Sequence, residues 1–103
     1  MTIHLTRSAR QDLEAIRTFT VDRWGRQQWL IYYRGMAAVL EQIAAAPDAG
    51  RNWDVLFPGV RSISYKAHLI FYRRTEAADG APVVLRIVHQ RGNLPALRYM
   101  ESL

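Results

Sequence analysis

The sequence has no cysteine. That excludes a disulfide framework, a thiolate zinc site and a thiol nucleophile. Lysine is nearly absent too: of 14 basic residues, 13 are arginine and Lys66 is the single lysine. No apolar run approaches the roughly 20 residues of a membrane-spanning helix. Met1 to Arg10 alternates polar and apolar residues and has no continuous hydrophobic segment, so no signal peptide is expected. A nucleophile elbow, a P-loop and a glycine-rich dinucleotide fingerprint are all missing. No spacing of His, Asp and Glu suits a metal, so neither a metal nor another cofactor is expected. These absences together predict a cytoplasmic protein that engages no membrane.

What is present fits one small domain. The chain has 103 residues, 50% of them hydrophobic and 22% charged, enough for a single core spanning residues 1–103. The formal net charge is +5. Residues 1–50 carry six Arg against five acids, whereas residues 51–103 carry seven Arg and Lys66 against four acids. The surplus therefore sits in the second half. The carboxylates fall mostly on predicted helix surfaces or in turns, which disfavours paired acid–base catalysis.

Periodicity gives the order of elements. Thr2 to Thr6 alternates like a strand. Ser8, with Gln11 three residues later, has the pattern of a capping box. Ala9, Leu13, Ile16, Thr20 and Trp24 then recur as one helical stripe, stopped at Gly25. A second stripe follows at Trp29, Tyr33, Met36, Leu40 and Ile43, flanked by Tyr32, Val39 and Ala46, and Pro47–Gly50 ends it. So short a connection at Gly25 makes an antiparallel helix hairpin. Val60–Tyr65, His68–Arg74 and Pro82–His89 are short runs rich in Val, Ile, Tyr and Phe, and read as an antiparallel meander. Leu94 to Leu103 is a candidate short helix with Asn93 as its cap and Pro95 in its first turn. The predicted class is α+β, ordered β-α-α-β-β-β-(α), with the helix hairpin covering one face of an antiparallel sheet.

Turn positions locate the arginines. A two-residue turn at Lys66–Ala67 sets Arg61 opposite Tyr72, and one at Asp79–Gly80 sets Arg73 opposite Arg86. Arg61, Arg73 and Arg86 would then form a cationic row across one end of the meander. Like charges facing each other destabilise a sheet, so such a row calls for an anionic partner. His89 and Arg91 end the last strand, where side chains are exposed on a rigid frame. One enzyme class is open to these residues: an RNase that drives 2′-OH attack with cations and a proton-moving group. Arg61, His68, His89, Arg91 and Tyr99 are the pool for it.

Seven segments in order resemble the RelE/ParE superfamily of bacterial type II toxins, most closely the ParE branch. They are the run from Leu5 to Ile16, Trp24-Gly25, Tyr33, Pro47 to Arg51 with Pro58 to Arg61, His68 to Arg73, and Arg86 to Arg91. The resemblance implies a toxin silenced by a cognate antitoxin, acting by poisoning DNA gyrase and not as an enzyme. RelE-like relatives instead cut mRNA in the ribosome, and that alternative would use Arg61, His68, Arg91 and Tyr99. Here the strand before the central hairpin offers only Arg61 and Lys66, and Gly92 and Asn93 stand where further cations belong. A third possibility is a non-toxic relative that only binds antitoxin. Direct nucleic-acid binding is expected only on the RelE-like reading. Antitoxin tails of this class are acidic and fold onto the toxin. The expected partner surface is Arg61, Arg73, Arg86, His89 and Arg91, with Trp29 and Tyr32 as apolar anchors beside the helix hairpin.

Overall fold

Thr6 joins the first strand to the first helix. Strand β1 (His4–Leu5) runs directly into helix α1 (Arg7–Trp24), and the computed structural model describes residues 3–90. The Thr6 hydroxyl accepts the Ala9 N–H at 3.1 Å and donates to the Leu85 carbonyl at 2.8 Å. The helix is therefore capped two residues before the Ser8 cap expected from the sequence. Thr6 wins because it satisfies the helix end and the sheet at once.

Gly25 alone separates α1 from helix α2 (Arg26–Ala45), with φ of 90°. Its left-handed backbone turns the chain back sharply, as the sequence predicts. Of the first expected stripe, Ala9 and Thr20 are buried and Leu13 and Ile16 pack on the core, but Trp24 is 61% exposed. Of the second, Trp29, Met36, Leu40 and Ile43 are buried, while Tyr33 is exposed and lies against the Trp29 ring.

Five strands form one sheet in the order β1-β5-β4-β3-β2, where β2 is Arg51–Asn52, β3 Val60–Tyr65, β4 His68–Arg74 and β5 Pro82–His89. The three central strands have the predicted bounds and are antiparallel. The sheet as a whole is mixed, because β1 lies parallel to β5 at the edge, His4 beside Val83 and Leu5 beside Val84.

Alternate residues of β4 face two different apolar layers. Ile70 and Tyr72 join Met36, Ile43, Val84 and Ile87 beneath the helices. Phe71 joins Phe57, Val60 and Leu85 on the other face, where Trp53, Leu69 and Val88 pack against them. The loop from β2 to β3 thus covers the face that the helix hairpin leaves open. Both faces being apolar explains why β4 reads as a nearly continuous hydrophobic run.

The two hairpins differ. Lys66–Ala67 is a two-residue turn with Lys66 at φ 52°, and it sets Arg61 opposite Tyr72 as expected. The β4–β5 connection is not a two-residue turn. Thr75 caps a short 3-10 turn at Glu76–Ala78, and Asp79 and Gly80 follow with positive φ. A bulge then places Phe71 opposite Arg86 but Tyr72 opposite Val84, leaving Leu85 as the extra residue. Arg73 lies on the turn side of the bulge, where the longer connection sets it opposite Val83 and not Arg86.

Candidate functional site

The predicted row of three arginines does not form. Arg86 turns to α1, where Asp12 receives its Nε at 2.7 Å and its second terminal nitrogen at 2.9 Å. Arg61 donates to the Gly50 carbonyl at 2.9 Å. It shares a small cavity of about 280 Å³ with Arg73, Arg74, Asp48 and Asp54, so both signs of charge are present there. Asp54 is held below its ordinary pKa, first by the Gly59 N–H and then by the Asn52 amide. The long β4–β5 connection is what separates Arg86 from Arg73: it pairs Arg74 with Pro82 and so sets Arg73 opposite Val83.

A larger cleft opens at the opposite end of the sheet. Its volume is about 790 Å³. One wall comes from α1, with Ala15, Ile16, Phe19, Thr20 and Trp24; Gln28 and Tyr32 of α2 form another. The floor is the β3–β4 turn with Lys66, Ala67 and His68, closed by His89 at the end of β5. The helical period explains the first wall: Ile16, Thr20 and Trp24 lie four apart and share a side of α1. Nearest the bundle this side is core, and towards Trp24 it becomes the wall of the cleft. Phe19 and Trp24 meet edge to face at 5.8 Å, and the Arg23 guanidinium lies over both rings.

At the polar end, three residues named from the sequence come together. His68 and His89 are directly paired across β4 and β5, with ring centroids 5.4 Å apart. Tyr32 reaches from α2 to hydrogen-bond His68 Nδ1. Its ring also meets Tyr65 edge to face at 5.0 Å, and the Tyr65 hydroxyl donates to the Tyr32 carbonyl at 3.0 Å. Burial, and secondarily the neighbouring Tyr65, pushes the Tyr32 phenol up to about 12. Burial lowers the His68 pKa, His89 lowers it further, and Asp12 works against both. At neutral pH His68 is thus neutral, and Tyr32 remains a protonated phenol able to donate or accept.

Other site expectations fare differently. Trp29, expected as an anchor at the groove margin, is only 8% exposed and stacks on Tyr32. Arg91 and Tyr99, with the candidate helix from Leu94 to Leu103, lie outside the described residues. Arg61 and His68 belong to opposite ends of the β3–β4 hairpin: their partners, Tyr72 and Tyr65, mark pairs four residues apart along β3. At about 3.3 Å per residue that is roughly 13 Å. Phe19, Gln28 and the cleft role of Trp24 were not read from the sequence. Among the described residues, no group of three or more His, Asp or Glu is placed to hold a metal. No helix among them is long and apolar enough to cross a membrane.

The fold and cleft define a small α+β protein with a preformed, largely apolar recess. The sequence matches the family model described as "ParE toxin of type II toxin-antitoxin system, parDE" over residues 3–94. It is 39% identical over 87 residues to Toxin ParE1 of Mycobacterium tuberculosis, covering 84% of this chain and 87% of that protein. It is 34% identical over 92 residues to Toxin ParE1 of Caulobacter vibrioides, covering 89% and 92%. A solved structure described as the chromosomal ParDE TA system from P. aeruginosa has a chain with the same fold. Its TM-score is 0.71 at 22% identity, covering 86% of this chain and 95% of that one. The chain belongs to the ParE toxin family, the toxin side of type II toxin–antitoxin systems.

Proposed function

We propose that the chain is a non-enzymatic toxin that inhibits DNA gyrase in the cytoplasm and is neutralised by an acidic cognate antitoxin seated in the cleft between the helix hairpin and the β3–β4 turn. Family membership supports the toxin role, and gyrase is the target that the ParE-like sequence implies. The separation of Arg61 from His68 is the observation that carries the non-enzymatic part. A nuclease site needs its phosphate-binding cation and its proton-moving group around one scissile phosphate. These two are about four residues of strand apart.

The cleft supports the antitoxin part. It offers apolar area from Phe19, Trp24 and Tyr32, and among the described residues no carboxylate lines it. An amphipathic acidic segment gains hydrophobic burial there and meets a chain of net charge +5. The test is induced expression in cells, alone and with the antitoxin encoded beside this chain. Growth arrest relieved by the antitoxin, with cellular mRNA intact, is the expected result. Arrest accompanied by cleavage of ribosome-bound mRNA would overturn the non-enzymatic reading, and harmless expression would overturn the toxin reading.

A further inference from the structure

We propose that the outer face of α2, from Arg26 to Arg34, is the surface by which this chain grips the protein it inhibits, and that it takes an acidic, partly apolar patch of that protein. The inference rests on the gyrase reading above and adds the contact that the reading leaves unassigned. A groove of about 310 Å³ runs along this face, lined by Arg26, Gln27, Leu30, Ile31 and Arg34. Leu30 is 44% exposed and Ile31 52%. The folded core does not use them, because α2 buries Trp29, Met36, Leu40 and Ile43 on its other side. Two neighbouring aliphatic side chains are thus left in water. Arg26 and Arg34 each stand one helical turn from Leu30, so a guanidinium borders the pair at either end. An apolar centre with an arginine rim is the make-up of a binding patch.

The groove and the cleft lie on different sides of one helix. Gln28 and Tyr32 line the cleft. Leu30 and Arg34 follow them by two residues each, which is about 200° round the helix axis. A segment seated in the cleft therefore leaves this face open to a second protein. Charge selects what that protein is like. Among the described residues no acid lines the groove, and Arg26 and Arg34 take no part in an ion pair. An acidic partner meets a guanidinium at either end of the groove. A second copy of the chain does not fit. Two-fold contact sets the same face against itself, which brings the guanidiniums of both copies together with no acid from the groove between them.

The experiment compares the wild-type chain with Leu30→Glu, Ile31→Glu and Arg34→Glu. It measures DNA supercoiling by purified gyrase, thermal melts, and titration with the full-length antitoxin encoded beside this chain. Each variant should raise the concentration for half inhibition by about tenfold or more. All three sit at exposed positions outside the cleft, so the melts should match the wild type and antitoxin affinity should stay within about twofold. Ile31→Glu keeps the test open should Leu30→Glu melt early. Arg34→Glu should weaken inhibition more than Arg34→Ala, because reversal adds repulsion from the partner's acids. Wild-type inhibition by the folded Glu variants would overturn this inference alone. Equal effects of Glu and Ala at Arg34 would overturn the acidic partner. Antitoxin affinity falling in step with inhibition would give the face to the antitoxin. A wild-type dimer lost in Leu30→Glu, seen by sedimentation, would give it to a second copy. Either result overturns the proposal. A wild-type chain that leaves supercoiling untouched would overturn the gyrase reading and this inference with it.

Discussion

Asp12 grips Arg86 with both carboxylate oxygens and accepts the Ile87 N–H at 2.9 Å with one of them. Both side chains are largely shielded from solvent. This one contact fastens α1 to β5 beside the bulge, and so fixes the wall of the cleft relative to its floor. Asp12→Ala should cost about 3 kcal/mol, because it strips a shielded guanidinium of its bidentate partner. Asp12→Asn should cost less, since its amide oxygen can still accept from Ile87. Chemical denaturation of the three proteins checks the order, and equal stabilities would contradict it.

Gly35 and Tyr65 make a second fastening, between α2 and β3. A Cβ at Gly35 would lie 2.7 Å from Tyr65 Cζ, so the ring must leave for Ala to fit. Its departure breaks the bond to the Tyr32 carbonyl. Gly35→Ala should cost about 2 kcal/mol by overpacking. In a Tyr65→Leu background the same substitution should cost much less, and a double-mutant cycle from thermal melts reads the coupling.

Stability should also fall on mild acidification. The His68 pKa in the folded chain lies below the ordinary 6.5, so the unfolded chain binds the extra proton first. Stability contributed by neutral His68 is whole above about 6.5 and declines as pH drops through the window below it. Urea midpoints at pH 7.5 and 5.5 should differ for the wild type and differ less for His68→Gln. This concerns the free chain.

How far such a structure can be read in advance is decided by turns. The β3–β4 register was legible because two residues, Lys66 and Ala67, separate two unambiguous strands. The β4–β5 register was not. Asp79–Gly80 has the composition of a tight hairpin turn, yet Gly80 N–H returns to the Thr75 carbonyl at 2.8 Å and closes a longer loop. The Leu85 bulge leaves no trace in composition. Tyr32, His68 and His89 stood out by their chemistry, but their meeting depends on pairing and helix placement. Trp24 was read as core because a helical stripe looks the same whether it faces a core or an open cleft.

That cleft wall gives a prediction about binding. Phe19 and Trp24 are both exposed, and their rings meet each other beneath the Arg23 guanidinium. Trp24→Ala should change folding stability by less than about 1 kcal/mol. It should weaken the antitoxin complex by about 2 kcal/mol or more, as expected for an aromatic anchor. Calorimetric titration compared with a thermal melt separates the two effects. Unchanged affinity would remove Trp24 from the interface.

The most direct measurement of the central claim is DNA supercoiling by purified gyrase with this chain present. Supercoiling should be lost in proportion to the added chain, and the antitoxin added beforehand should restore it. Full supercoiling at a large excess of the chain, with the same preparation cleaving mRNA on ribosomes, would contradict the account.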